Sequence, residues 1–163
     1  MVTQSGGFDP ALTRRSRIAI GAGPWIVAAV VHLVVYAIVH GQLPDEVVSH
    51  VGGDGPDGFM EPLKLVAITV GVFLGEVVLF GYLLVRRQQT VEQYRLLAAC
   101  AWGVAAGEGY LLIASFAANA GLSDPRDLDF PMPVHVPVAI AICLVVGAVG
   151  AVGATLVWKA DRR

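Results

Sequence analysis

Four stretches of this chain are apolar for about 20 residues or more, the length a helix needs to cross ~30 Å of hydrocarbon. They run from Ile18 to Val39, Leu63 to Val85, Leu96 to Ala118 and Val136 to Trp158. Backbone that faces lipid must satisfy its own amides, so each stretch reads as a helix. The expected fold is an all-α membrane protein, a four-transmembrane-helix bundle. Composition agrees: 56% of the residues are hydrophobic and 15% charged, against ~25% charged in a soluble domain. Alanine, glycine and valine dominate the runs, and glycine is common in membrane helices. The first run has a basic lead-in, but its apolar core exceeds the ~7–15 residues of a signal peptide and no A-x-A-like site follows. It reads as a retained first span.

The basic residues orient the bundle. Arg14, Arg15 and Arg17 precede span one, Arg86, Arg87 and Arg95 separate spans two and three, and Lys159, Arg162 and Arg163 follow span four. These nine of the eleven Lys and Arg fall on one side, with Lys64 and Arg126 on the other. The positive-inside rule puts the richer side, and both termini, in the cytoplasm. The chain then divides into a flexible cytoplasmic tail over 1–16, a transmembrane domain over 17–159 and a cytoplasmic tail over 160–163. Outer loops cover about 40–62 and 119–135, and the cytoplasmic link Arg86–Tyr94 makes spans two and three an antiparallel hairpin. A net charge of −2 offers no basic field to nucleic acid. Cys100 and Cys143 fall inside apolar runs at different depths and read as small buried hydrophobes rather than a disulfide.

Ionisable groups inside the runs are candidates for function, because a charge at the bilayer centre costs ~2.5–3.5 kcal/mol or more. Glu76 lies near the middle of span two and Glu108 near the middle of span three. Both share a local pattern: Gly71-Val72-x-x-Gly75-Glu76 recurs as Gly103-Val104-x-x-Gly107-Glu108. Small residues four apart let helices approach closely, so the repeats of two antiparallel spans are expected to cross and bring the carboxyls together. His32, Tyr36 and His40 form a stripe on span one, and Ser115 shares a face with Glu108 on span three. One reading is a polar cavity opening outward with Glu76, Glu108 and His32 at its floor; the other is interhelical hydrogen bonding alone. Gly147, Gly150 and Gly153 on span four suit close packing against another helix, in this chain or a second copy.

The first outer loop reads Leu43-Pro44-Asp45-Glu46-Val47-Val48-Ser49-His50 and continues to Gly55-Pro56-Asp57-Gly58. Its glycines, prolines and aspartates predict turns rather than strands. Leu-Pro-Asp is a helix-start signal, so Pro44–His50 is expected as a short surface helix ending at His50, and Gly55–Gly58 as a tight turn. A cation site on Asp54, Asp57 and His50 would have too few oxygens for a hard cation without help. The third reading is a recognition loop for an extracellular peptide or partner subunit.

Leu43, Pro44, His50, Gly55, Pro56, Asp57 and Gly58 resemble the outer loop of a family of small bacterial membrane domains that also opens the SdpI-type immunity proteins. That family usually has phenylalanine where this chain has Val51, and proline where it has Val48. The resemblance implies a non-enzymatic membrane protein that acts in immunity, sensing or as an accessory subunit through its extracellular loop, recognition falling on Leu43, Pro44, Asp45, His50, Asp54 and Gly55–Gly58. No phosphate-binding loop, paired metal-ligand histidines or nucleophile beside a base points to an enzyme, a metal or another cofactor. The alternative is a small proton-coupled transporter or channel that uses Glu76, Glu108 and His32, with Tyr36 and Ser115 nearby. The expected partners are the bilayer and a membrane protein or a second copy.

Overall fold

The computed structural model describes residues 10–52, 55–85 and 90–160. Four long helices account for most of them: α1 (Pro10–Val39), α2 (Pro62–Val85), α3 (Val91–Asn119) and α4 (Met132–Ala160). Each is long and apolar enough to cross a membrane. Between α1 and α2 lies an antiparallel hairpin, β1 (Val47–Gly52) with β2 (Gly55–Met60). Short 3₁₀ turns lie at His40–Gln42 and Pro125–Asp127.

The helix ends follow local chemistry. At α3, Thr90 Oγ1 accepts the Gln93 N–H (3.2 Å) while the Gln93 side chain accepts the Thr90 N–H (3.1 Å), a reciprocal cap that the sequence Thr-Val-Glu-Gln encodes. That start makes Val91–Tyr94 helical and buries Tyr94, which shortens the expected cytoplasmic link. At the other end of the chain's first span, the helix begins at Pro10, so residues 10–16 extend α1 instead of belonging to a loose tail.

α1 is the central helix. It packs along α2 on one side and α3 on the other, and α3 in turn packs along α4. Trp25 of α1 stacks on Phe80 (centroids 5.5 Å) and tilts against Phe73 (6.1 Å) of α2, with Ala29 and Ala105 closing the cluster. At the end away from the hairpin, Leu84, Tyr94, Ala98 and Ala154 bring all the later helices together. There the Arg17 guanidinium lies over the rings of Tyr94 (5.4 Å) and Trp158 (5.2 Å), a cation–π arrangement suited to a charge at the edge of an apolar bundle.

Pro24 sits inside α1. It has no N–H, so the carbonyl four residues earlier, on Ile20, loses its helical donor. Trp102 of α3 replaces it: the indole Nε1 donates to Ile20 O at 3.1 Å. One side chain therefore both repairs the helix and joins α1 to α3.

The repeated glycine motif does not pair α2 with α3, which meet only marginally. On α3 it serves α4. A methyl added at Gly103 would come within 2.5 Å of the Cys143 carbonyl oxygen, and one at Gly107 would collide with Cys143 Sγ. Gly147 and Gly150 of α4 return the contact, with Ala99 O and Ala98 O at 2.9 and 2.8 Å from the corresponding added methyls. On α2, a methyl at Gly71 or Gly75 meets nothing within 4 Å. The same sequence thus packs in one copy and lies open in the other, because the motif permits close approach without choosing the partner.

Two stability predictions follow from these contacts. Gly103→Ala is expected to destabilise the protein by about 1–3 kcal/mol through overpacking, whereas Gly75→Ala is neutral or stabilising by up to ~1 kcal/mol; thermal unfolding in detergent compares them. Trp102→Phe is expected to cost about 1–3 kcal/mol by leaving a buried carbonyl unpaired. In a Pro24→Ala background, where the helix regains its own donor, the same substitution should cost clearly less.

Candidate functional site

The first connection folds as a hairpin, not as the expected surface helix, and Gly55–Gly58 forms β2 rather than a tight turn. The physical reason is in the same residues. Val47, Val48 and Val51 are β-branched and favour extended backbone, while Gly52, Gly55 and Gly58 weaken any helix. Gly55 has φ +117, a region open to glycine. His50 therefore lies in a strand and caps no helix.

The hairpin is irregular. Val47 pairs with Met60, Val48 with Phe59, His50 with Gly58 and Val51 with Pro56. The register shifts twice, leaving Ser49 and Asp57 as extra residues, and such bulges re-aim side chains. Gly58 is required here: an added methyl would stand 2.8 Å from the His50 Cβ. Across the strands His50 Nδ1 donates to Asp57 Oδ1 at 2.5 Å. A carboxylate can only accept, so the proton of this bond sits on Nδ1. Both side chains are more than half exposed, so the pair orders the surface and contributes little to stability.

Asn119, the last residue of α3, fixes the hairpin to the bundle. It is 1% exposed. Its Oδ1 accepts the Val48 N–H at 3.0 Å, and its Nδ2 donates to Ser115 O at 2.9 Å. Val47 and Val48 are buried beside it. The second connection braces the other side: Arg126 lies over the Phe59 ring at 5.1 Å, and Gly121 N–H donates to Gln42 O at 2.7 Å. Leu43 and Pro44 are half-buried at the base, while Asp45, Glu46, His50 and Asp57 stay exposed. Asp54 lies outside the described residues, and among those described no group of three His, Cys, Asp or Glu converges as for a metal.

The intramembrane residues are arranged differently from a polar cavity. His32 is 1% exposed and enclosed by aromatic rings, Phe116 at 5.1 Å and Phe73 at 6.3 Å between centroids. Its Nε2 meets Thr69 Oγ1 of α2 at 3.1 Å. Tyr36 continues the stripe against Phe116 and His40, so the stripe is largely aromatic packing. Ser115 contributes its backbone carbonyl to Asn119. Glu76 is half-buried on α2 and Glu108 exposed on α3; the two are within electrostatic range of each other. The cavity that His32 borders is apolar, and neither glutamate lines it.

Asn119 continues the polar face of Glu108 and Ser115 in the sequence, but its clamp on the hairpin and the hairpin register escape sequence reasoning. A readable signal existed for the second: a β-branched run, a Gly-Gly-Asp-Gly reversal and a following aromatic. Comparison of the chain with family models, with curated proteins and with solved structures returns no match.

Asn119→Ala is expected to leave the Val48 amide without its acceptor. Amide hydrogen exchange at Val48 should accelerate about tenfold or more, with the helices α2 and α4 unchanged.

Proposed function

We propose that this chain is a non-enzymatic, multi-pass membrane protein that recognises a protein or peptide partner at the hairpin end, with that end outside the cell and both termini in the cytoplasm. The observation that carries the reading is the hairpin itself. Its inner edge is clamped by Asn119 and buried valines, while His50 and Asp57 present a fixed, exposed polar pair. Ordering of this kind lowers the entropy cost of recognition. The charge asymmetry of the connections supports the orientation. The similarity of Leu43, Pro44, His50 and Gly55–Gly58 to the outer loop of the SdpI-like family supports an immunity, sensing or accessory role, with the motif glycine Gly58 explained by the close approach of the strands.

A second reading is proton passage. Glu76 and Glu108 stand near mid-span within electrostatic range, and neither has a hydrogen-bond partner among the described residues. Intramembrane carboxyls without partners are unusual for a purely structural role.

Gentle purification from the native membrane through a C-terminal tag, followed by mass spectrometry, separates the two. The first reading predicts a stoichiometric membrane or secreted partner that is lost in the His50→Ala/Asp57→Ala variant and kept in Glu76→Gln/Glu108→Gln. The second predicts no partner, and pH-driven flux in liposomes that the glutamine variant abolishes.

A further inference from the structure

A groove of about 470 Å³ lies between α1 and α2 at the end of the bundle away from the hairpin. Arg14 and Ile18 form one wall, and α2 from Val77 to Val85 forms the other. That stretch of α2 is ~12 Å long at the helical rise, within the ~15 Å depth of one leaflet's hydrocarbon. The deep end is Val77, which packs against the Trp25 cluster. Between the ends, a methyl added at Gly81 meets nothing within 4 Å. Arg14 stands at the shallow end, where α1 begins and α2 closes, and every other lining residue is uncharged.

The Arg14 charge is uncompensated. Its side chain is exposed, and no carboxylate lines the groove. Among the described residues the carboxylates in ion pairs are Asp57 and Asp124, both at the hairpin end. A guanidinium stays protonated and only donates, and its fork matches the oxygens of a phosphate. The groove therefore has two parts in a fixed order: a cation at the level of the helix ends and an apolar slot below it. An amphiphile with an anion at the membrane surface and an alkyl chain beneath fills both at once.

We propose that this groove holds one anionic phospholipid from the surrounding bilayer, its phosphate on Arg14 and one acyl chain running over Gly81 to Val77. Phosphatidylcholine has the same chains and a phosphate, but its choline cation cancels the headgroup charge, so it enters the slot without the gain from Arg14. Arg15 is also exposed but does not line the groove, which makes it the control for attraction to any nearby basic residue. This inference is independent of any role for the hairpin or the glutamates.

The full chain in a neutral detergent is titrated with dioleoylphosphatidylglycerol or dioleoylphosphatidylcholine, and native mass spectrometry reads the first lipid bound. Phosphatidylglycerol is expected to bind about fivefold more tightly, the gain from one basic contact. Arg14→Gln should bring it down to the phosphatidylcholine level and leave phosphatidylcholine unchanged, which also shows that the variant is folded. Arg15→Gln should change either affinity by less than about twofold. Gly81→Leu fills the slot where there is room and should weaken both lipids while thermal unfolding in detergent stays within a few degrees. Equal affinity for the two lipids would overturn the proposal. So would equal losses in Arg14→Gln and Arg15→Gln, which would mean diffuse attraction, or full binding in Gly81→Leu, which would place the lipid elsewhere.

Discussion

A backbone carbonyl without a donor is expensive in hydrocarbon, and α1 carries one because Pro24 cannot supply an N–H to Ile20. The Trp102 indole resolves that deficit, and much of the architecture is arranged around its doing so. α3 must lie beside α1 at this level, which leaves α3's glycine face free for α4, which meets it at Gly103 and Gly107. α2 then takes the remaining side of α1 through Trp25, Phe73 and Phe80. The helices run α2, α1, α3, α4 across the bundle, an order set by which faces have something to bury or to satisfy and not by chain succession.

This order also explains the two ends. Because α3 borders α1 throughout, its last residue, Asn119, stands beneath the connection that leaves α1, and a single amide side chain joins α3 to the β1 backbone. At the opposite end the start of α3 and the close of α4 gather round Arg17. The bundle is thus tied at both ends and at the middle by polar groups, while dispersion between small residues fills the rest, as expected where lipid removes most of the hydrophobic driving force between helices.

The four spans were legible in the sequence because length and hydropathy are local properties, and three of the four run ends fall within a residue or so of helix ends at Val39, Val85 and Asn119. Helix starts were less legible: Pro10, Val91 and Met132 lie in polar or mixed sequence, and only capping chemistry such as Thr90 with Gln93 marks them. Partner choice was not legible. The motif around Gly71–Glu76 matches that around Gly103–Glu108, yet only the second is packed, since a glycine face says how close a neighbour can come but not which neighbour it is. The hairpin is legible only when the glycines and prolines are weighed together with Val47, Val48 and Val51, which favour extended backbone. His32 is legible as an intramembrane histidine, but its contact with Thr69 depends on α1 lying between α2 and α3.

The proposed placement of the ordered hairpin on the outer side of the membrane is tested most directly by cysteine labelling. In a background with Cys100 and Cys143 replaced by alanine, Gln42→Cys beside the hairpin and Glu92→Cys at the start of α3 are exposed to a membrane-impermeant maleimide on intact cells. The account predicts that the cysteine at position 42 labels at once and that at position 92 only after permeabilisation. The reverse pattern, or equal labelling of both in intact cells, would contradict it.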